Sequence, residues 1–266
     1  MYAPHIRRSA VDMLNSGISY SEVSRRLGIN RATLRTWRTD PSLIDKHRDS
    51  SCPLCEPIPR PPADTEAYSY LLGLYLGDGC ITPAGDGSRG VLRLRILCSD
   101  SWPGLVEECS SSITRVRPDR AVRTTPSTGC TEVYGDWKHW PCLFPQHGPG
   151  KKHHRTIALA GWQQEIVDEQ PETFVRGLIH SDGCRVVNRI RKKLPESRVK
   201  VYEYPRYHFT NASTDIVGLL TATLDRLDVA WRSHVKVQTG IHDQTVVSIS
   251  RKDAVARMDA FVGPKY

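Results

Sequence analysis

No stretch of the 266-residue chain is apolar for long enough to span a bilayer, which excludes a helical membrane protein. The first residues, Met1-Tyr2-Ala3-Pro4-His5-Ile6-Arg7-Arg8, lack the apolar core of a secretory signal. A cytoplasmic protein is therefore expected, nucleoid-associated if bacterial. A disulfide scaffold is also excluded. The eight cysteines are scattered, only Cys52 and Cys55 are close neighbours, and in a reducing cell most are expected as free thiols. Cys52-Pro53-Leu54-Cys55 has the spacing of half a zinc site and His47 is near, but no second CxxC exists. Zn2+ at this pair and two free thiols in a turn both remain open. Negative charge is in short supply: 29 acidic against 37 basic side chains leave +8, which favours a polyanionic partner over a small neutral one.

The positive charge is concentrated. Residues 185–206 carry Arg185, Arg189, Arg191, Lys192, Lys193, Arg198, Lys200 and Arg206 against Glu196 and Glu203, and residues 151–155 read Lys-Lys-His-His-Arg. Near the start, residues 5–38 predict three short helices. Val11, Leu14 and Ile18 have helical spacing and Gly17 breaks the first. Ser19 or Ser21 can cap a second with Val23 and Leu27 inward. A third runs from Arg31 to Arg38 with Leu34 and Trp37 inward, leaving Arg31, Thr33, Arg35, Thr36 and Arg38 outward. The pattern resembles a helix-turn-helix whose last helix enters the major groove, where arginine can pair with guanine edges and threonine can meet a thymine methyl. A small helical bundle with a basic face is the alternative. Prolines at 41, 53, 57, 59, 61 and 62 then mark a stiff linker.

Beyond the linker one pattern occurs twice. Leu71-Leu72-Gly73-Leu74-Tyr75-Leu76-Gly77-Asp78-Gly79 and Val175-Arg176-Gly177-Leu178-Ile179-His180-Ser181-Asp182-Gly183 each read as an apolar helix with small residues four apart, closed by an aspartate and a glycine. The aspartates are 104 residues apart, one small domain's length. Asp64 or Thr65 can cap the first helix, and Gln170-Pro171-Glu172 starts the second. Matching segments follow each copy. Val91–Leu97 and Tyr207–Asn211 read as strands, Ser99-Asp100-Ser101 and Ser213-Thr214-Asp215 as helix starts, and 121–124 with 131–137 and 233–238 with 244–249 as strand pairs. The order helix–strand–strand–helix–strand–strand–helix, repeated, implies duplication within one chain.

The two motifs resemble those of the LAGLIDADG (dodecapeptide, DOD-type) homing endonucleases in their single-chain, two-repeat form, over roughly residues 65–262. The resemblance implies an α+β fold of two pseudo-symmetric αββαββα repeats, here preceded by a small three-helix helix-turn-helix domain. The expected domains are 1–40 (helix-turn-helix), 41–63 (linker), 64–160 (first repeat) and 161–266 (second repeat). It also implies a monomer with internal pseudo-twofold symmetry and a double-stranded DNA partner cut to leave 3′ overhangs. The residue types agree. Small residues let two helix backbones approach, Gly79 and Gly183 are expected in the left-handed conformation that ends a helix, and Asp78 and Asp182 then emerge side by side. Two carboxylates at negative dipole ends need a cation between them, for which Mg2+ or another divalent ion is suited. Gly77 and Ser181 are assigned to the same metal site. At the ends of corresponding strands, Lys138 and Lys252 are candidate catalytic lysines or simply solvated ones. Arg176 is expected to face solvent or DNA, while Leu76 and His180, at the motif's often acidic sixth position, are not assigned to metal. Residues 80–98 and 184–212 are expected to be DNA-reading hairpins, with Arg93, Arg95, Arg185, Arg189, Arg191, Lys192, Lys193 and Arg206 meeting phosphates and base edges.

These readings lead to a metal-dependent, site-specific DNA endonuclease, with a non-cleaving transcriptional regulator on the same fold as the alternative. Retention of both aspartates favours cleavage. An intein is not expected, because the chain begins at Met1 and ends Gly263-Pro264-Lys265-Tyr266, without a splicing nucleophile or terminal asparagine.

Overall fold

The computed structural model describes residues 4–41, 43, 52–55, 60–193, 199–237, 242–263 and 265–266. They fall into two compact units, Met1–Glu56 and Pro57–Tyr266. Much of the proline-rich linker, His47, Arg198 and the side chain of Lys193 lie outside the described residues.

In the first unit, α1 (Pro4–Asn15), α2 (Tyr20–Leu27) and α3 (Arg31–Thr39) enclose Ala10, Leu14, Val23, Ile29, Leu34 and Trp37. Capping explains the boundaries. The Ser19 side chain accepts from the Glu22 N–H at the start of α2, and Gly28 at φ 63° lets the chain leave it in the left-handed region. Asn30 caps α3 through the Ala32 N–H. Leu34 and Trp37 point inward and Arg31, Arg35, Thr36 and Arg38 outward, as expected, with Thr33 half-buried.

The second unit begins with α4 (Thr65–Asp78), capped by the Asp64 carboxylate on the Ala67 N–H at 2.9 Å. It continues with β1 (Gly79–Pro83), β2 (Leu92–Ser99), α5 (Pro103–Val116), β3 (Val122–Ser127), β4 (Cys130–Asp136) and the single turn α6 (Trp140–Leu143). A connector then leads to α7 (Gly161–Glu169), which local sequence patterning does not announce. The second motif helix α8 (Pro171–Asp182) is followed by β5 (Gly183–Lys193), β6 (Val199–Asn211), α9 (Thr214–Arg226), β7 (Arg232–Lys236), β8 (Gln244–Ile249) and α10 (Lys252–Phe261). Each half has an antiparallel four-stranded sheet with the same strand order, β1-β2-β4-β3 and β5-β6-β8-β7. This is the expected duplicated α+β fold. No helix among the described residues is long and apolar enough to cross a membrane.

The core centres on α4 against α8. Residues 67–76 of α4 are all buried, because the helix is covered on every side. The two backbones meet at glycines. A Cβ on Gly73 would lie 2.7 Å from both the Leu178 nitrogen and the Phe174 oxygen, and one on Gly177 would lie 3.0 Å from Gly73 Cα. Tyr68, Tyr75, Phe144 and Phe174 fill the space around this seam.

Two sequence expectations need correcting here. Gly79 (φ −88°) and Gly183 (φ −108°) are extended, not left-handed. Each starts a strand, and glycine is required by close approach: a Cβ would lie 2.5 Å from Tyr75 Cα in the first case and 2.8 Å from Ile179 Cα in the second. Arg176 does not point away from the protein. It donates to Val262 O and to Glu108 Oε1 at 2.6 Å, locking α8 to α5 and the C-terminal segment.

Candidate functional site

Because α4 and α8 cross at their small residues, they end together, and Asp78 and Asp182 emerge at the adjoining C-termini. The Asp182 carboxylate lies beside Gly77, its Oδ2 within 3.0 Å of where a Cβ on that glycine would be. The Asn211 side-chain amide donates to the same oxygen at 2.6 Å. Burial raises the Asp182 pKa to about 6; the nearby Asp78 charge adds to the rise, while Asn211, Lys152 and Lys265 oppose it. The Asp78 pKa is also raised, by burial, against the pull of Lys152 and Lys265.

These two lysines are the basic residues that face the carboxylates, and sequence reasoning missed both. Lys152, in the connector, donates to the Leu76 and Gly77 carbonyls at 2.8 and 2.7 Å and also to Tyr75 O. Lys265 donates to Gly183 O at 2.6 Å and Ser181 O at 3.4 Å. Each ammonium thus caps the exposed carbonyls of one motif helix, where a positive charge is favoured. Burial lowers the Lys152 pKa to about 8 despite Asp182 and Asp78 nearby, and lowers that of Lys265. Lys138 and Lys252 are exposed and do not figure among the charges acting on either aspartate. Lys138 leaves β4 between the buried Trp137 and Trp140, and Lys252 opens α10, so both side chains stay in solvent.

The arrangement is pseudo-symmetric. One cleft of about 1120 Å³ brings together Gly77, Lys152, Asp182 and Asn211. A smaller one of about 80 Å³ brings together Asp78, Cys98, Ser181 and Lys265. Strand register equates Cys98 with Asn211, since Gly79 pairs with Ile96 and Gly183 with Phe209. The halves therefore differ: an amide attends Asp182, and a thiol stands at the matching place beside Asp78. Two carboxylates at the negative ends of adjoining helices are an oxygen donor set that fits a divalent cation. The carbonyls of Gly77 and Ser181 are held by the lysines instead, so an ion using them would have to displace an ammonium. His180 is not a ligand: its Nδ1 accepts from Tyr70 OH at 2.8 Å, its Nε2–H donates to Val262 O at 3.0 Å, and burial lowers its pKa to about 4.

The raised Asp182 pKa makes a stability prediction. A carboxyl whose folded pKa exceeds its unfolded value, about 3.9, favours folding when protonated. That contribution is complete below about pH 4 and lost as pH rises through about 6. Two pKa units correspond to about 3 kcal/mol. His180 works in the opposite sense over part of this range, so the wild-type curve alone does not isolate the effect. The difference between Asp182→Asn and wild type does. In metal-free buffer the variant's melting point is expected to equal wild type's below about pH 4 and to exceed it by several degrees at pH 7.5. A constant difference across pH would contradict the burial of Asp182.

The sheets present one open face each, and register divides the candidate DNA-binding residues between faces. On the second sheet, the open face carries Lys192, Lys200, Arg206, Arg232 and Lys236 and no carboxylate. Arg185, Arg189 and Arg191 have the parity of the buried Tyr207 and Phe209, so they occupy the opposite face. Arg185 is fixed there by two bonds to Asp259 of α10, at 2.7 and 2.8 Å, and Arg189 pairs with Glu203. On the first sheet Arg93 and Arg95 are on the open face, but each is already paired, Arg93 with Asp136 through two bonds and Arg95 with Glu132. The first open face is therefore nearly balanced in charge and the second strongly basic. In the first unit, Cys52 is buried and Cys55 exposed, their turn closed by a 2.8 Å bond from Cys55 N to Cys52 O.

Residues 1–47 match a helix-turn-helix family model described as Transposase. No curated protein sequence matches the chain. Among solved structures, the chain is similar to mesophilic variants of the homing endonuclease I-DmoI, at 16% identity over 74% of this chain and 96% of that one, with a TM-score of 0.49. It is similar to the LAGLIDADG meganuclease I-AabMI, solved bound to uncleaved DNA, at 12% identity over 73% and 82%, with a TM-score of 0.45. It is also similar to the N-terminal LAGLIDADG domain of DUF199/WhiA, at 10% identity over 76% and 84%, with a TM-score of 0.44.

Proposed function

We propose that the chain is a LAGLIDADG-type, divalent-cation-dependent DNA endonuclease that recognises a long duplex site and cuts both strands. One observation carries the reading: two carboxylates of raised pKa converge at paired helix ends in a half-chain duplication whose sheets each leave one face open. A bound Mg2+ or similar ion would activate water and stabilise the departing 3′ oxygen. The protein's own groups do the rest. Asp78 and Asp182 would hold the ion. Asn211 fixes the orientation of the Asp182 carboxylate. Lys152 and Lys265, held at the helix ends, place positive charge where a scissile phosphate gains negative charge.

The basic open face of the second sheet would neutralise phosphates, with Lys192 and Arg206 among its contacts, while the paired Arg93 and Arg95 suit directional contacts to base edges. Arg31, Arg35, Thr36 and Arg38 of α3 would read a further stretch of major groove, and tethering would add that affinity to the site. Zinc at Cys52 and Cys55 stays a secondary reading.

The deciding experiment incubates the protein with a genomic or randomised duplex library, with Mg2+ and with EDTA, and sequences new ends. Mg2+-dependent ends at a defined site with short 3′ overhangs are expected. Specific retention of DNA without new ends would replace the nuclease by a regulator on the same scaffold.

A further inference from the structure

Three histidines cluster beside the larger cleft, which His153 and His242 line. His153 and His154 lie on the short turn Lys152–His154 of the connector, and His242 lies just before β8. Their ring centroids are 4.3, 4.5 and 4.8 Å apart. One nitrogen from each can be chosen so that all three lie within 4.8 Å of one another. His154 Nε2 and His242 Nε2 are 2.9 Å apart. In a tetrahedral site with metal–nitrogen bonds of about 2.05 Å, two ligand nitrogens sit about 3.3 Å apart. That pair therefore needs an adjustment of only a few tenths of an ångström. The His153 Nε2 atom is shielded from solvent and has no hydrogen-bond partner among the described residues. A buried nitrogen lone pair or N–H without a partner is costly unless something meets it.

The surroundings hold the cluster ready. Arg155 clamps the connector by donating to Gly148 O and Gly150 O at 2.6 and 2.8 Å, and Lys152 anchors it to α4. Among the described residues no carboxylate belongs to the cluster, and an all-imidazole donor set suits zinc and its late first-row neighbours rather than magnesium or calcium.

We propose that His153, His154 and His242 form a second metal site, specific for Zn2+ or a similar transition ion. Three imidazoles supply three positions of a tetrahedral ion and leave the fourth to water. The ion ties the connector between the repeats to the β7–β8 end of the second repeat and so fixes the residue beside His153, Lys152. This site stands whether or not the chain cuts DNA.

The test is a Co2+ titration of the metal-stripped full-length chain, followed by displacement with Zn2+. The visible spectrum separates the donor sets. Imidazole ligation in four-coordinate geometry gives strong visible bands without the near-ultraviolet thiolate bands that cysteine sites would add, and aspartate sites give only weak six-coordinate bands. One equivalent of the imidazole type is expected. His242→Ala should weaken it at least tenfold and His154→Ala with His242→Ala should abolish it, with far-ultraviolet circular dichroism unchanged. His153→Ala is the replacement variant if either of these fails to fold. Absence of the imidazole-type spectrum, or its persistence at full affinity in folded variants, overturns the proposal.

Discussion

Asp182→Asn is expected to abolish double-strand cleavage, by at least about a thousandfold, while leaving DNA binding intact or tighter. The substitution is nearly isosteric, so the α4–α8 seam and the Asn211 contact persist. It removes one of two charges that would hold a divalent ion. Losing a metal ligand removes several kcal/mol of transition-state stabilisation, and each 1.36 kcal/mol is tenfold in rate. Binding moves the other way because a carboxylate facing a phosphate backbone is repelled by it. Asp78→Asn should likewise eliminate double-strand cuts. The inequivalence of the halves, Asn211 beside Asp182 and Cys98 at the matching place, should appear as different residual nicking rates for the two variants. Supercoiled plasmid carrying the target separates intact, nicked and linear products in one assay. Unchanged linearisation by either variant would remove that aspartate from the site.

The parts of this molecule that could be read in the sequence are those written in local periodicity. Leu34 and Trp37 three apart, the small residues four apart before Asp78 and Asp182, and the alternation through Leu92–Leu97 each encode which side of an element is covered, and the fold follows them. What sequence missed is set by tertiary closure. Lys152 lies in a connector without periodicity, 74 residues after Asp78, and reaches the site only because the connector folds back onto the C-terminus of α4. Lys265 lies near the chain end and does the same for α8. Neither has a neighbour pattern that marks it, so matching strand ends pointed to Lys138 and Lys252 instead. Arg185, Arg189 and Arg191 pair in register with positions of the same parity as the inward Tyr207 and Phe209, a direction that the pairing register sets and charge density does not encode. Gly79 and Gly183 were the right residues for a different reason, since what they avoid is a Cβ against the preceding helical turn rather than a forbidden φ.

Gly177→Ala is expected to destabilise the second unit by more than about 3 kcal/mol, enough to remove much of the 5–15 kcal/mol that holds an ordinary domain together. The added methyl would meet Tyr70 O and lie 3.0 Å from Gly73 Cα and 3.1 Å from Tyr70 C. All of these belong to the α4 main chain, so no side chain can rotate away. The helix itself must retreat, yet residues 67–76 are buried on every side, and a close-packed interior transmits that shift into its far wall. A second glycine-to-alanine change supplies the contrast. Gly218 is an exposed position inside α9 where an added methyl would meet nothing within 4 Å, and there alanine should stabilise by roughly 0.5–1 kcal/mol through helix propensity alone. Urea denaturation of the two variants beside wild type measures both. Opposite signs for one chemical change show that the seam, not the residue type, sets the requirement for glycine. Loss of the seam should also separate Asp78 from Asp182, so any Gly177→Ala protein that still folds should lose its divalent-cation response.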